Sequence, residues 1–117
     1  MKLVYLIGPY RDNTVWGTHE NIQTALAIGA DVVKKLGPDW FPVIPHANTQ
    51  FMDGLAPDQY FLDGTMELMR RCDAVLLMPG WAVSAGSLAE IAEAERLGLP
   101  VRFHNDCLDI WYMENGE

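Results

Sequence analysis

The chain has 117 residues, half of them apolar and 21% charged, with a formal net charge of −8. That length makes one domain with a core that needs no metal or disulfide staples. The negative field repels nucleic acid polymers and anionic membranes, but a small phosphorylated ligand remains compatible with it, because a helix N-terminus and one arginine bind such a group locally.

No run approaches the roughly 18 apolar residues of a membrane span. The start MKLVYLIGPY lacks a long apolar region and a cleavage site, so it reads as a first strand rather than a signal peptide. Cys72 and Cys107 lie far apart and in no C-x-x-C pair, which fits reduced thiols and a cytoplasmic location. His46, Cys72, His104 and Cys107 have zinc-ligand chemistry but no standard spacing, so neither a metal nor a cofactor is expected.

Residues 2–7, KLVYLI, are an almost wholly apolar run ended by Gly8-Pro9, the pattern of a strand buried on both faces. After a polar loop, Thr18 caps a helix with Asn21 three residues on. Ile22, Ala25, Leu26, Gly29, Val32, Val33 and Leu36 recur at helical spacing, and Gly37-Pro38 stops the helix. Residues 41–44, FPVI, form a second strand, and Pro42 assigns it to an edge or to its own first turn.

A loop through PHANTQFMDGLAP leads to a second helix over about residues 58–71. Residues 73–78, DAVLLM, are a third strand ended by Pro79-Gly80, and Asp73 at its start is expected to make a turn or cap contact. The loop WAVSAG precedes a helix from about Ser87 to Gly98, and residues 101–103 make a short fourth strand. The tail 104–117 carries Ile110, Trp111, Tyr112 and Met113 and is expected to pack on the domain or on a second subunit.

Strand–helix alternation with helical crossovers implies a small doubly wound, Rossmann-like or flavodoxin-like α/β domain of three layers, with a four- to five-stranded parallel sheet. Ligands of such sheets bind at the carboxyl ends of the strands, near the reversal in strand order. Gly8-Pro9-Tyr10-Arg11, Pro45-His46 and the segment from Pro79 through Glu90 should therefore converge on one rim.

Within that rim Ser87-Leu88-Ala89-Glu90 fits the S-x-x-E capping box, in which the two side chains satisfy each other's backbone N–H groups. The same Glu90 also has the position of a catalytic carboxylate, in the first turn of a helix at the sheet's carboxyl edge. There the helix dipole and poor solvation push its pKa in opposite directions. Ser87, Glu90, Ala94 and Leu97 share one helix face and Leu88, Ile91 and Ala92 the other, so this helix is expected to pack on more than one side.

Ser84 and Gly86 open the helix in a small-residue loop, which offers free N–H groups to an anion or is a plain junction. No G-x-G-x-x-G or P-loop pattern accompanies them. Tyr5 is either a core tyrosine or a phenol reaching the rim. Arg11 is a surface residue or a phosphate contact, His46 structural or catalytic. Trp81 stacks on a base or covers the sheet's end.

Tyr5-Leu6-Ile7-Gly8-Pro9, Cys72-Asp73-Ala74-Val75 and Ser84-x-Gly86-x-x-x-Glu90, with Ala94 following, resemble the nucleoside 2-deoxyribosyltransferase-like superfamily over about residues 2–103. It includes 2′-deoxynucleoside 5′-monophosphate N-glycosidases, and the closest likeness is to its short, largely uncharacterised branch. The resemblance implies that Glu90 attacks the anomeric carbon, that Tyr5 positions it, and that Ser84 and Gly86 take the 5′-phosphate or 5′-hydroxyl. Serine at position 84 looks more like the monophosphate hydrolases than the transferases.

The family's helical aspartate, which helps to protonate the leaving base, falls on Thr65 here, and the nearest acid is Asp63. Two residues turn a side chain by about 200° on a helix, so Asp63 replaces that acid only if the helix register differs; Asp58 and His46 are the other candidates. The expected activity is cleavage or transfer at the N-glycosidic bond of a nucleoside or nucleoside 5′-monophosphate, with hydrolysis ahead of transfer. The alternatives are a nucleotide-binding or sensing module that has lost efficient catalysis, and a dimerisation domain built on the aromatic tail. A homo-oligomer is expected from the resemblance.

Overall fold

The computed structural model describes residues 1–104; the tail assigned above to packing lies outside them apart from His104. Four parallel strands form one sheet in the order β2-β1-β3-β4: β1 Lys2–Ile7, β2 Trp40–Val43, β3 Ala74–Leu77 and β4 Val101–Phe103. Between them run α1 Val15–Lys35, the single turn α2 Pro45–Asn48, α3 Asp58–Arg70 and α4 Ala85–Arg96. Strand order reverses at β1, whose two neighbours are β2 and β3. Pro42 sits in β2 at the sheet's edge, where a missing ladder donor costs least.

Side-chain alternation along β1 and β3 divides the core in two. Val4, Leu6, Ala74, Leu76 and Met78 pack on one face against Ala25, Ile28 and Val32 of α1. Tyr5, Ile7, Val75 and Leu77 point the other way, against Met69 of α3 and Ile91 and Ala94 of α4. Burial of each Val, Leu, Ile or Met among them stabilises the fold by about 1.5–3 kcal/mol, and of each Ala by less. The helices thus cover both faces, as the doubly wound three-layer reading requires.

At the amino edge of the sheet Asp73 clamps β1 to β3. Its Oδ2 accepts from the Leu3 N–H at 2.7 Å, while its own N–H donates to the Leu3 carbonyl at 2.8 Å. The contact is across strands rather than within a turn or cap, and it fixes the register in which Tyr5 pairs with Val75.

Three local expectations are corrected. Thr14, not Thr18, caps α1: its Oγ1 accepts from the Gly17 N–H at 2.9 Å, and Asn21 instead donates to the Tyr10 carbonyl at 3.0 Å. Within α1 the buried stripe is Ile22, Ala25, Ile28, Gly29 and Val32, while Leu26 and Val33 face outward. Finally, α4 packs on one side only: Ser87, Ile91 and Ala94 are buried, whereas Leu88 and Ala92 are exposed.

Candidate active site

The carboxyl ends of β1 and β3 meet the turn of α2 at one rim. His46 on α2 is 4% exposed, and its Nε2 lies 3.2 Å from the Gly8 carbonyl and 3.1 Å from that of Pro9. Carbonyls only accept, so Nε2 carries the proton and Nδ1 presents a buried lone pair that has no partner among the described residues. Burial holds the imidazole below its ordinary pKa, against the pull of the two carbonyls. His46 therefore fastens the end of β1 as a neutral ring.

Gly8 lies against Met78, the residue after β3. A Cβ at Gly8 would stand 2.7 Å from the Met78 Cβ and Sδ, so the strand ends approach this closely only because position 8 has no side chain. Gly80, in the left-handed region at φ 87°, turns the chain from β3 into a 3₁₀ turn, Trp81–Val83. Trp81 packs into the cluster of Tyr5 and Ile91, with its ring 5.9 Å from that of Phe103. A cleft of about 240 Å³ lies here at the ends of β3 and β4, walled by Leu77, Met78, Pro79, Trp81, Phe103 and His104. It does not contain Tyr5 or Glu90.

Ser84 is the N-cap of α4. Its Oγ accepts from the Ser87 N–H at 3.2 Å and hydrogen-bonds the Ser87 hydroxyl at 2.9 Å, which satisfies a serine that is only 1% exposed. The S-x-x-E box at Ser87 does not form, because the helix begins three residues earlier and places Glu90 in its second turn. Gly86 is exposed, and no atom comes within 4 Å of where its Cβ would be.

Glu90, released from capping, turns inward. The Tyr5 phenol, fully buried on β1, donates to Glu90 Oε2. Burial raises the Glu90 carboxyl from 4.5 to about 7, and the Tyr5 hydrogen bond opposes that rise. The phenol itself is pushed far above its ordinary value, first by burial and then by the Glu90 charge and hydrogen bond; the hydroxyl of Thr65 on α3 pulls the other way. Tyr5 is thus a fixed hydrogen-bond donor, and burial holds the Glu90 carboxyl above the ordinary carboxylate range.

The remaining candidates lie apart from this pair. Asp63 is exposed and accepts from Gln59 Nε2 at 2.7 Å, on the side of α3 turned away from the one where Thr65 meets Tyr5. The helix register is therefore the one in which Asp63 does not substitute for the acid. Arg11 ion-pairs with Asp58 at 2.8 Å on the surface, and Tyr10 donates to Asp53 at 3.1 Å beside it, so the loop after β1 is held to the segment that enters α3. His104 is bound to Asp31 of α1 at 2.8 Å, Cys72 Sγ donates to the Leu68 carbonyl at 3.4 Å, and Cys107 lies outside the described residues. Among the described residues no three His, Cys, Asp or Glu side chains are grouped to hold a metal, and no helix is long and apolar enough to cross a membrane.

The polar contacts that the sequence did not reveal are the Thr65 hydroxyl at Tyr5 and the Ser84–Ser87 pair. A helical wheel of α3 that placed Met66 and Met69 inside would have brought Thr65 to the same side.

The fold has solved relatives. A 2-desoxiribosyltransferase from Leishmania mexicana superposes with a TM-score of 0.61 at 20% identity, over 88% of this chain and 63% of that one. A 2-deoxyribosyltransferase from the psychrotolerant bacterium Bacillus psychrosaccharolyticus gives 0.59 at 14% identity, over 86% of this chain and 70% of that one. The present chain thus spans less than two thirds of the Leishmania protein, and at these identities the likeness is one of fold. Among curated proteins, none matches the sequence. Residues 2–104 match a family described as a domain of unknown function, DUF7768, and the chain belongs to that family.

Proposed function

We propose that the protein cleaves, or transfers at, the N-glycosidic bond of a nucleoside or nucleoside 5′-monophosphate through a covalent glycosyl-Glu90. The observation that carries this reading is the half-buried Glu90 carboxylate held by the fully buried Tyr5 phenol beside the carboxyl ends of β1 and β3. A structural carboxylate would be paired with a cation or turned to water. This one is desolvated, oriented by a neutral donor and raised into the range where it is available both as base and as nucleophile. The fold shared with two deoxyribosyltransferases, one of them described as a biocatalyst for nucleoside synthesis, supports the same substrate class.

In this mechanism ionised Glu90 attacks the anomeric carbon as the bond to the base breaks, through an oxocarbenium-like transition state. Tyr5 keeps one carboxylate oxygen engaged and so aims the other. The N–H groups of Ala85 and Gly86 precede the first intrahelical bond of α4, from Leu88 to the Ser84 carbonyl. They are the donors for a 5′-phosphate, and the bare Gly86 lets it approach. Gly86 and Glu90 stand one turn apart on one face, about 6 Å along the axis, a separation suited to the sugar between phosphate and anomeric carbon. Trp81, His46, Gly8 and Arg11 frame the rim, and a second subunit in a homo-oligomer is the source of further walls.

The test is release of free base from a panel of nucleosides and nucleoside 5′-monophosphates, followed by chromatography, with Glu90→Ala as control. Base release abolished in Glu90→Ala is expected; release unchanged in that variant overturns the nucleophile assignment. Thr65 in contact with Tyr5, and Asp63 turned away, favour a second reading, a nucleotide-sensing module. It predicts saturable nucleotide binding, without release, in both proteins.

A further inference from the structure

This inference rests on the N-glycosidic reading and concerns the base. A neutral base leaves a sugar only when something protonates it, a contribution of about 10²–10⁴ in rate when a side chain supplies the proton. Besides α4, the helix that packs on the Tyr5 face of the sheet is α3. Its acids are all committed elsewhere: Asp58 to Arg11 at 2.8 Å, Asp63 to Gln59 at 2.7 Å and Glu67 to Arg71 at 3.0 Å, each of them exposed. The α3 side chain close enough to act on the phenol is Thr65, whose hydroxyl donates to the Leu62 carbonyl at 3.2 Å and does not ionise in water's pH range. His46 holds its proton between two carbonyls. Against Tyr5, besides Glu90, the described titratable neighbour is Cys72, whose thiol burial pushes up to about 11.

We propose that the site takes nucleotides whose base is already cationic, such as an N7-alkylated purine or an N-glycosylated pyridinium, so that no acid is needed. In the first step a bond forms between Glu90 Oε and the anomeric carbon while the carbon–nitrogen bond breaks. The electron pair of that bond passes to the ring nitrogen and cancels the positive charge, and the base departs neutral. In the second step water adds its oxygen to the anomeric carbon, the ester bond returns its pair to Glu90, and one proton is released to solvent. Ionised Glu90 attracts the positive charge of such a base at close range.

The experiment compares N7-methylguanosine 5′-monophosphate with guanosine 5′-monophosphate, in ribo and 2′-deoxyribo forms, each rate divided by its own spontaneous rate. Nicotinamide mononucleotide, whose charge does not titrate, serves for the pH profile. The expected result is an acceleration of the methylated nucleotide that equals or exceeds that of the unmethylated one, with none of the excess of about a hundredfold or more that a side-chain acid gives a neutral base, and it is lost in Glu90→Ala. With it comes a kcat/KM that rises as Glu90 ionises and then stays level. Thr65→Asp should raise cleavage of the unmethylated nucleotide about tenfold or more and add a descending limb; if that variant does not fold, the wild-type profile decides. Acceleration of the unmethylated nucleotide about a hundredfold or more above that of the methylated one, the contribution of an acid, overturns this proposal and leaves the N-glycosidic reading standing. No base released from any nucleotide overturns that reading and this proposal with it.

Discussion

The Tyr5 hydroxyl donates to the carboxylate of Glu90, a residue 85 positions further along the chain. The pair joins the inner strand β1 to α4 across the α3–α4 face of the sheet, with Tyr5 fully buried and Glu90 half-buried. Tyr5→Phe keeps the ring volume and deletes the donor. Because that donor holds the Glu90 pKa down, the rising limb of the pH–rate profile should move to higher pH and kcat should fall. Unfolding in urea should show a loss of about 1–2 kcal/mol from the stranded carboxylate. An unmoved limb would separate Tyr5 from the chemistry.

Glu90→Gln tests the cost of the buried charge. The folded state keeps the Glu90 proton up to about pH 7, whereas an ordinary glutamate releases it near 4.5. Between those values the folded chain holds more protons than the unfolded one, so stability falls as pH rises, and the loss is complete above about 7. The shift corresponds to about 3 kcal/mol. Wild-type stability measured at intervals across that window should slope downward, and Glu90→Gln should flatten the slope while abolishing base release.

Ser84→Ala removes the cap of α4 and the partner of the buried Ser87 hydroxyl. A loss of about 1–2 kcal/mol in urea unfolding is expected. Ser87→Ala should cost less, since it leaves the Ser84 cap on the Ser87 N–H intact. The reverse order would restore Ser87 as the helix cap.

Gly8→Ala places a methyl group into Met78 at the rim. Overpacking of this kind costs about 1–3 kcal/mol. A thermal melt of Gly8→Ala should fall accordingly, and the same change made in a Met78→Ala background, where the Sδ contact is gone and only the Cβ contact remains, should cost less.

The layers of the fold were legible because β1 and β3 are apolar on both faces, and Pro42 correctly marked an edge. The helix starts were less so. Thr14 and Thr18, like Ser84 and Ser87, are pairs of equally good caps a few residues apart, and an exposed Val15-Trp16-Gly17 gives no periodicity to decide between them. Tyr5 and Glu90 were legible as candidates through their motif, but their contact needs the sheet's alternation to send Tyr5 towards α4 rather than α1. For Asp63 chemistry suggested an acid, whereas helix geometry turns Thr65 rather than Asp63 towards Tyr5.

The Asp73–Leu3 clamp stands at the end of the sheet away from the rim, yet it determines where the rim chemistry points. A one-residue slip of β1 would turn Tyr5 to the α1 face and leave Glu90 facing an aliphatic side chain. Asp73 thus acts as an alignment gauge: an error at the bottom of the sheet would be read out at the top as a misaimed nucleophile.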